Sequence, residues 1–372
     1  NKQKINKINF VFESEIKKLD LKDLKFSYSN INFTSKKVEI ENKDNFTKIK
    51  GEINNDITSL SEEGLKKFFN PFLKLDFKNI KFSSENKFSL EINNKFKVSD
   101  YEVKTLLNID ESLINYDMNL KKIFPNLKSE ISLRDHQTEI TFKKNNFIVN
   151  GNGEFLIQKN PDKIYYKIEK KGHEYLFNTE LNFIKNPISL SFLNYKSDDN
   201  SSVSLKLNGK LHKNKTLSLK NVKFANNSDL ISLKNLKLTN DLKISSLKSA
   251  TFDYTDIQNK KNSFQVILNK ENYVISGKVF NASKLIEDLI FEDAENKDIF
   301  DDNYSIKLEF DEVYIDENDL VYDLNGNLYF VNNKIINADI NSKFNDNEKV
   351  TFTLISKDNQ KVTTFYSDRA KP

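Results

Sequence analysis

Four copies of one eight-residue pattern restrict this chain to a particular kind of sheet. The copies are Leu19-Asp20-Leu21-Lys22-Asp23-Leu24-Lys25-Phe26, Leu75-Asp76-Phe77-Lys78-Asn79-Ile80-Lys81-Phe82, Leu217-Ser218-Leu219-Lys220-Asn221-Val222-Lys223-Phe224 and Ile231-Ser232-Leu233-Lys234-Asn235-Leu236-Lys237-Leu238. Each reads apolar-polar-apolar, then Lys and Asn or Asp, then apolar-Lys-apolar. Side chains along a strand alternate between two faces. The Lys-Asn/Asp step adds one residue to that alternation, and a bulge there returns both apolar pairs to one face. Asn and Asp tolerate the backbone angles such a step needs. The pattern predicts a bent strand with an apolar face and a lysine-rich face. Repeated, it predicts a curved sheet with the same two sides.

Composition agrees. Hydrophobic residues make up 37% of the 372 and charged residues 30%, lean beside the roughly 45–50% apolar content of globular domains. Phe 30 and Tyr 14 still supply enough burial to exclude a disordered chain. A one-sided sheet needs an apolar residue only at alternate positions. With Gly 8 and Pro 5, turns fall to Asn and Asp, as expected at Asn145-Asn146 and Asn325-Gly326-Asn327. Cys 0 excludes disulfides and thiolate metal sites. Lys+Arg 58 against Asp+Glu 54 leaves a net charge of +4. With no block of like charge, this argues against nucleic acid as a partner. The lysines alternate with apolar residues, as on a solvated outer face. The sequence has no signal peptide and no long apolar run, and it reads as an interior segment of something longer.

Nearly every segment reads as strand. Ser202–Leu211, Tyr304–Phe310, Phe88–Ile92, Glu130–Leu133, Glu139–Phe142 and Val350–Leu354 all alternate, with turn signals between them at all-β spacing. Two segments read as short helices. Over Leu60–Asn70, Ser59 and Glu62 have capping-box spacing, Leu65, Phe68 and Phe69 form a face, and Pro71 is a stop. Over Asn281–Asp293, Ala282, Leu285, Ile286, Leu289 and Ile290 recur at helical spacing behind Asn281 as N-cap. Both are expected to pack as caps or plugs on a sheet. Asn150-Gly151-Asn152-Gly153 reads as a hairpin turn, which sets a soft division into 1–148 and 149–372.

Catalytic chemistry is missing. His136, His173 and His212 are far apart and read as separate surface histidines. Gly151 and Gly153 lack the third glycine of a dinucleotide loop, and no P-loop, Gly-x-Ser-x-Gly or His-Glu-x-x-His occurs. Glu62/Glu63 and Asp301/Asp302 sit in polar stretches where solvation explains them. The expectation is a non-enzyme without a cofactor or metal.

One resemblance points to a function. Tyr273-Val274-Ile275-Ser276-Gly277-Lys278-Val279-Phe280-Asn281-Ala282-Ser283-Lys284-Leu285-Ile286 resembles the strand–Gly–helix junction of the AsmA-like, YhdP-type central domain of Gram-negative bacteria. Asn281 stands where that family usually has Asp, and either residue caps a helix. The strand order from Gly153 is similar. Tyr314-Ile315-Asp316-Glu317-Asn318-Asp319-Leu320 through Asn325-Gly326-Asn327-Leu328 looks like the family's next strand pair. Phe365-Tyr366-Ser367-Asp368-Arg369-Ala370 resembles the step that opens its next helix. The likeness covers about 150–372, while the first 150 residues share only the strand style.

The resemblance implies a periplasmic segment of an inner-membrane-anchored envelope protein. Its long curved sheet would carry phospholipid between inner and outer membranes, which it would reach through regions outside this segment. It implies an all-β fold with two short helices, an elongated, curved antiparallel sheet forming an open groove. Strands of five or six residues would span about 17–20 Å, comparable to an acyl chain, and burial would contribute about 0.8 kcal/mol per CH₂. Candidate groove residues are Leu205, Leu207, Leu217, Leu219, Leu233, Leu236, Leu238 and Ile244. Alternation alone favours the other outcome, in which the apolar faces close as a dry sandwich of a structural or adhesive protein. An outer-membrane barrel fits less well, because Trp is 0 and no aromatic girdle is evident.

Overall fold

The computed structural model describes residues 5–63, 76–115, 121, 123–212, 216–239, 243–270, 272–290, 303–331, 334–357 and 360–369. It divides into two units, Asn1–Asn186 and Pro187–Pro372. The division expected at 148/149 falls inside a strand. Twenty-one long strands make up open, almost wholly antiparallel sheet, ten in the first unit and eleven in the second.

The first unit is a meander of β1 (Ile5–Glu15), β2 (Lys18–Tyr28), β3 (Ile31–Asn42), β4 (Phe46–Ser61), β5 (Asp76–Asn93), β6 (Val98–Asn115), β7 (Ile131–Lys143), β8 (Asn146–Leu156), β9 (Asp162–Lys171) and β10 (Glu174–Ile184). Each strand pairs antiparallel with the next. The second unit opens with two two-residue strands, β11 (Ser189–Leu190) and β12 (Tyr195–Lys196), joined by a 3-10 turn at Ser191–Leu193. Its meander follows: β13 (Ser202–Leu211), β14 (Leu217–Asn226), β15 (Asp229–Leu238), β16 (Ile244–Thr255), β17 (Lys261–Asn269), β18 (Asn272–Asn281), β19 (Tyr304–Tyr314), β20 (Leu320–Val331), β21 (Lys334–Asn345), β22 (Glu348–Lys357) and β23 (Gln360–Ser367). One pair, β18 with β19, is parallel. The connection between them contains the helix α1 (Ser283–Ile290), as a parallel crossover requires. The meander strands run to 8–18 residues, longer than expected, so at about 3.3 Å per residue the faces are deeper than one acyl chain.

All four copies of the pattern are irregular at the Lys-Asn/Asp step. Asp23 and Asn235 have φ of 50°. Lys220 is the extra residue opposite β13, and β5 slips between Phe77 and Asn79. The third and fourth copies are neighbouring strands in self-complementary register: Leu217 faces Leu238, Leu219 faces Leu236, Val222 faces Leu233 and Phe224 faces Ile231. Similar irregularities at Asp135 (φ 49°) and Asp323 (φ 52°) follow no pattern in the sequence.

Several expectations need correction. Ser59 and Leu60 belong to β4, and the helical backbone of that segment begins later than expected, at Glu62–Glu63, with residues 64–75 outside those described. Asn150–Gly153 lies within β8, and the turn is Lys144-Asn145. Gly151 and Gly153 are there because a Cβ at either would collide with the ring of Tyr166 or His136. Asn325-Gly326-Asn327 is likewise mid-strand, where a Cβ on Gly326 would come within 2.9 Å of the Asp339 carbonyl oxygen. Helix α1 forms as expected. Asn281 Oδ1 accepts from the Ser283 backbone N–H at 3.2 Å and from its hydroxyl at 2.7 Å. Asn281 is also buried and donates to Asp256 Oδ2 at 2.7 Å, a burial the capping role did not predict.

Candidate functional site

Directly opposed residues in a ladder share a face, so the register maps the apolar side of the second unit. One row runs Leu207–Val222–Leu233–Ala250–Val266–Ile275–Leu308–Gly326–Ile340–Phe352–Phe365. Beside it runs Leu205–Phe224–Ile231–Phe252–Phe264–Gly277–Phe310–Leu324. Nearer the β14–β15 termini, Leu211, Leu217, Leu238 and Ile244 align, as do Leu219, Leu236 and Leu247. All eight groove candidates therefore stand on one face. Leu219 and Leu236 are buried by their neighbours at 7% exposure each. Leu205, Leu207, Leu217, Leu233, Leu238 and Ile244 are only half-buried.

On the same rows Phe224, Ile231, Ala250, Phe252, Phe310 and Leu324 are buried, but among the described residues the unit has no second sheet beyond the two-residue pair β11–β12 to cover the half-buried part. Total exposed area agrees. The chain exposes 24031 Å², against about 15,000 Å² for a compact monomer of this size or about 18,000 Å² for two separate compact halves. The sandwich alternative requires a second sheet packed on the first, and pairing within each unit instead runs strand to strand in a single layer. On this face Phe252 and Phe264 stack at 4.5 Å, and Phe280 and Phe310 at 5.6 Å. A depression of about 630 Å³ across β16–β20 belongs to the other side of the sheet, since it is lined by the alternating polar residues Thr251, Asp253, Gln265, Lys278, Glu309 and Asp311.

One end of this face is closed by aromatic packing that the sequence did not reveal. Tyr195 sits edge-on to Phe224 and Tyr254, with centroids at 5.5 and 5.7 Å. Its hydroxyl accepts from Asn226 Nδ2 at 2.8 Å, and the Tyr254 hydroxyl donates to the Leu193 carbonyl at 3.0 Å. Burial pushes both phenols above their ordinary range. Beyond them, Phe310, Val313, Val321, Leu324 and Val350 form a buried cluster with Ala282 and Ile315 against it.

The first unit follows the same plan with one interruption. Its apolar residues include Leu21, Val38, Phe88, Val103, Phe142 and Phe147 in one row. A transverse polar stripe then crosses the face. Asn86 Nδ2 donates to Ser84 Oγ at 2.8 Å, Thr105 Oγ1 donates to Asn86 Oδ1 at 2.8 Å, and Ser84 donates to Asn55. Thr138 and Tyr166 hydroxyls share a hydrogen bond at 2.9 Å across Gly151. These groups satisfy one another, so the stripe fixes register rather than offering free donors. His136, expected at the surface, lies at its margin with 3% exposure. Its Nε2 donates to the Glu154 carbonyl at 2.8 Å, and burial lowers its pKa. His173 is exposed and His212 lies against Ser218 Oγ at 2.9 Å. Among the described residues no cluster has the makings of a metal site.

The opposite face is the solvated one. Glu39 is bracketed by Lys50 at 2.8 Å and Lys37 at 2.9 Å, and these hydrogen bonds hold its carboxyl down at about 2. Among the described residues no helix is long and apolar enough to cross a membrane. Compared with known proteins, the chain matches no family model, no curated protein and no solved structure.

Proposed function

We propose that this chain is a non-enzymatic lipid-binding protein whose uncovered apolar sheet face carries phospholipid acyl chains. The observation that carries this reading is the second unit's face: apolar residues aligned over eleven strands of one open sheet, with Leu205, Leu207, Leu217, Leu233, Leu238 and Ile244 only half-buried. Isolated monomers rarely leave so much contiguous apolar surface in water. Acyl chains would cover it at about 0.8 kcal/mol per buried CH₂, without directional contacts, so bound lipid slides along the rows. The resemblance of Tyr273–Ile286 to the strand–Gly–helix junction of AsmA/YhdP-like proteins motivates the wider proposal of a periplasmic segment of an inner-membrane-anchored protein that conducts phospholipid to the outer membrane. Acyl transfer and hydrolysis play no part in it.

The test uses Leu207→Asp with Leu233→Asp, two half-buried positions on successive strands of the face. Binding of a fluorescent fatty-acyl probe is measured for native and variant chains with matched far-UV circular dichroism. The reading predicts at least a tenfold loss of affinity. Unchanged binding in a folded variant would remove the face from the site.

A further inference from the structure

The register of β13, β14 and β15 gathers lysines that the sequence keeps apart. Leu205, Leu207, Leu219, Leu233 and Leu236 take the apolar side, so the residues alternating with them face the other side of the sheet. There Lys206 stands directly opposite Lys223. Lys210, Ser218 and Lys237 align, as do Asn208, Asn221 and Lys234. Lys220, the extra residue of the β14 bulge, is exposed beside them. The three strands hold six lysines and a single carboxylate, Asp229, where β15 begins.

Other lysines on the solvated faces meet carboxylates. Lys143 and Lys104 reach Glu102 at 3.1 and 3.2 Å, and Lys307 reaches Glu309 at 2.6 Å. Lys220, Lys223, Lys234 and Lys237 are exposed, and among the described residues none of the four makes an ion pair. Lys206 opposite Lys223 is also a like-charge placement, which costs a ladder stability. The fold thus builds a block of positive charge that the chain order does not contain.

We infer that this lysine face docks on an anionic phospholipid bilayer. Between the lysines stand Ser218, Asn221 and Ser232. The three strands contain no arginine, and their one aromatic residue, Phe224, is on the apolar side. A single-stranded nucleic acid stacks its bases on aromatic side chains, and a protein partner is anchored mostly by aromatic residues and arginine. Separate lysines on an open sheet face suit a layer of mobile phosphates, where each adds attraction as a flexible point charge without a fixed geometry. The contact is screened by salt, and it does not depend on what the apolar face carries.

The test mixes the full chain with vesicles of dioleoyl phosphatidylcholine, alone or in equal mixture with dioleoyl phosphatidylglycerol, and co-sedimentation reads the bound fraction. The expected result is about tenfold stronger binding to the anionic vesicles at low salt, a difference that high salt removes. Lys223→Ser, Lys234→Ser and Lys237→Ser together should bring binding down to the phosphatidylcholine level. Lys25→Ser, Lys163→Ser and Lys278→Ser remove the same charge from exposed positions on β2, β9 and β18 and should leave the difference intact. Far-UV circular dichroism checks that both variants fold. Equal binding of the two vesicle types, a preference that survives the first triple substitution, or an equal loss in both variants would overturn the assignment to this face. Duplex DNA that displaces the chain from anionic vesicles at equal phosphate would overturn the choice of a lipid surface. Each of these outcomes leaves the lipid-binding reading of the apolar face to its own test.

Discussion

Asp162 shows how a single side chain is tuned by its place in the sheet. It is fully buried at the start of β9, where its carboxylate accepts the Ile184 N–H and Asn186 Nδ2, each at 2.7 Å. Desolvation outweighs those two bonds and raises its pKa to about 6. An unfolded Asp titrates near 3.9, so between these values the folded chain holds a proton that the unfolded chain has released. Its contribution is therefore greatest below about pH 4 and is lost as pH rises through about 6. Urea midpoints between pH 4.5 and 6.5 should fall more steeply for the native chain than for Asp162→Asn, and parallel profiles would refute the assignment. Residues of this kind were illegible in the sequence. Asp162, Asn262 and His136 look like ordinary strand-end or strand residues there, and only the register brings them under cover. Gly151 and Gly153 were legible as special but misread. Their spacing fits a turn equally well, and it takes the rings of Tyr166 and His136 on the two flanking strands to show why a side chain is forbidden.

At the scale of the element, the Lys-Asn/Asp step was the most informative signal, because a break in period two has few structural solutions. Asn235 adopts a left-handed conformation that costs most residues about 1–2 kcal/mol and costs Gly and Asn little. Asn235→Gly should leave the thermal midpoint nearly unchanged, whereas Asn235→Val should destabilise by about 2 kcal/mol because branching at Cβ adds to the strain. If both substitutions prove equal, the bulge contributes no conformational constraint. Other elements were less legible. The Asp135 and Asp323 bulges lack flanking Lys-apolar repeats, and the plug at Tyr195 comes from a segment whose sequence is neither strongly alternating nor helical. Ser59-to-Glu62 capping spacing marked a helix start a few residues early: Thr58, Ser59, Leu60 and Ser61 stay paired with β5, and helical backbone begins at Glu62.

For the molecule as a whole, alternation established strands and a two-sided sheet, but it could not decide between a closed sandwich and an open face. That choice depends on whether a second apolar layer exists. The answer lies in half-burial at Leu205, Leu207, Leu217, Leu233, Leu238 and Ile244 and in an exposed area well beyond that of compact halves. The lean apolar content has the same origin, since one face of a single layer needs only alternate residues. Which apolar side chains would meet a ligand was partly legible. The eight candidates share a face, yet Leu219 and Leu236 are buried at 7% exposure each.

The most direct test of the uncovered face is native mass spectrometry of the gently purified chain, with extraction and identification of any bound lipid. The account predicts discrete added masses that extract as phospholipid and that return when phospholipid is added to stripped protein. A folded chain that carries no lipid and takes up none when supplied would contradict it.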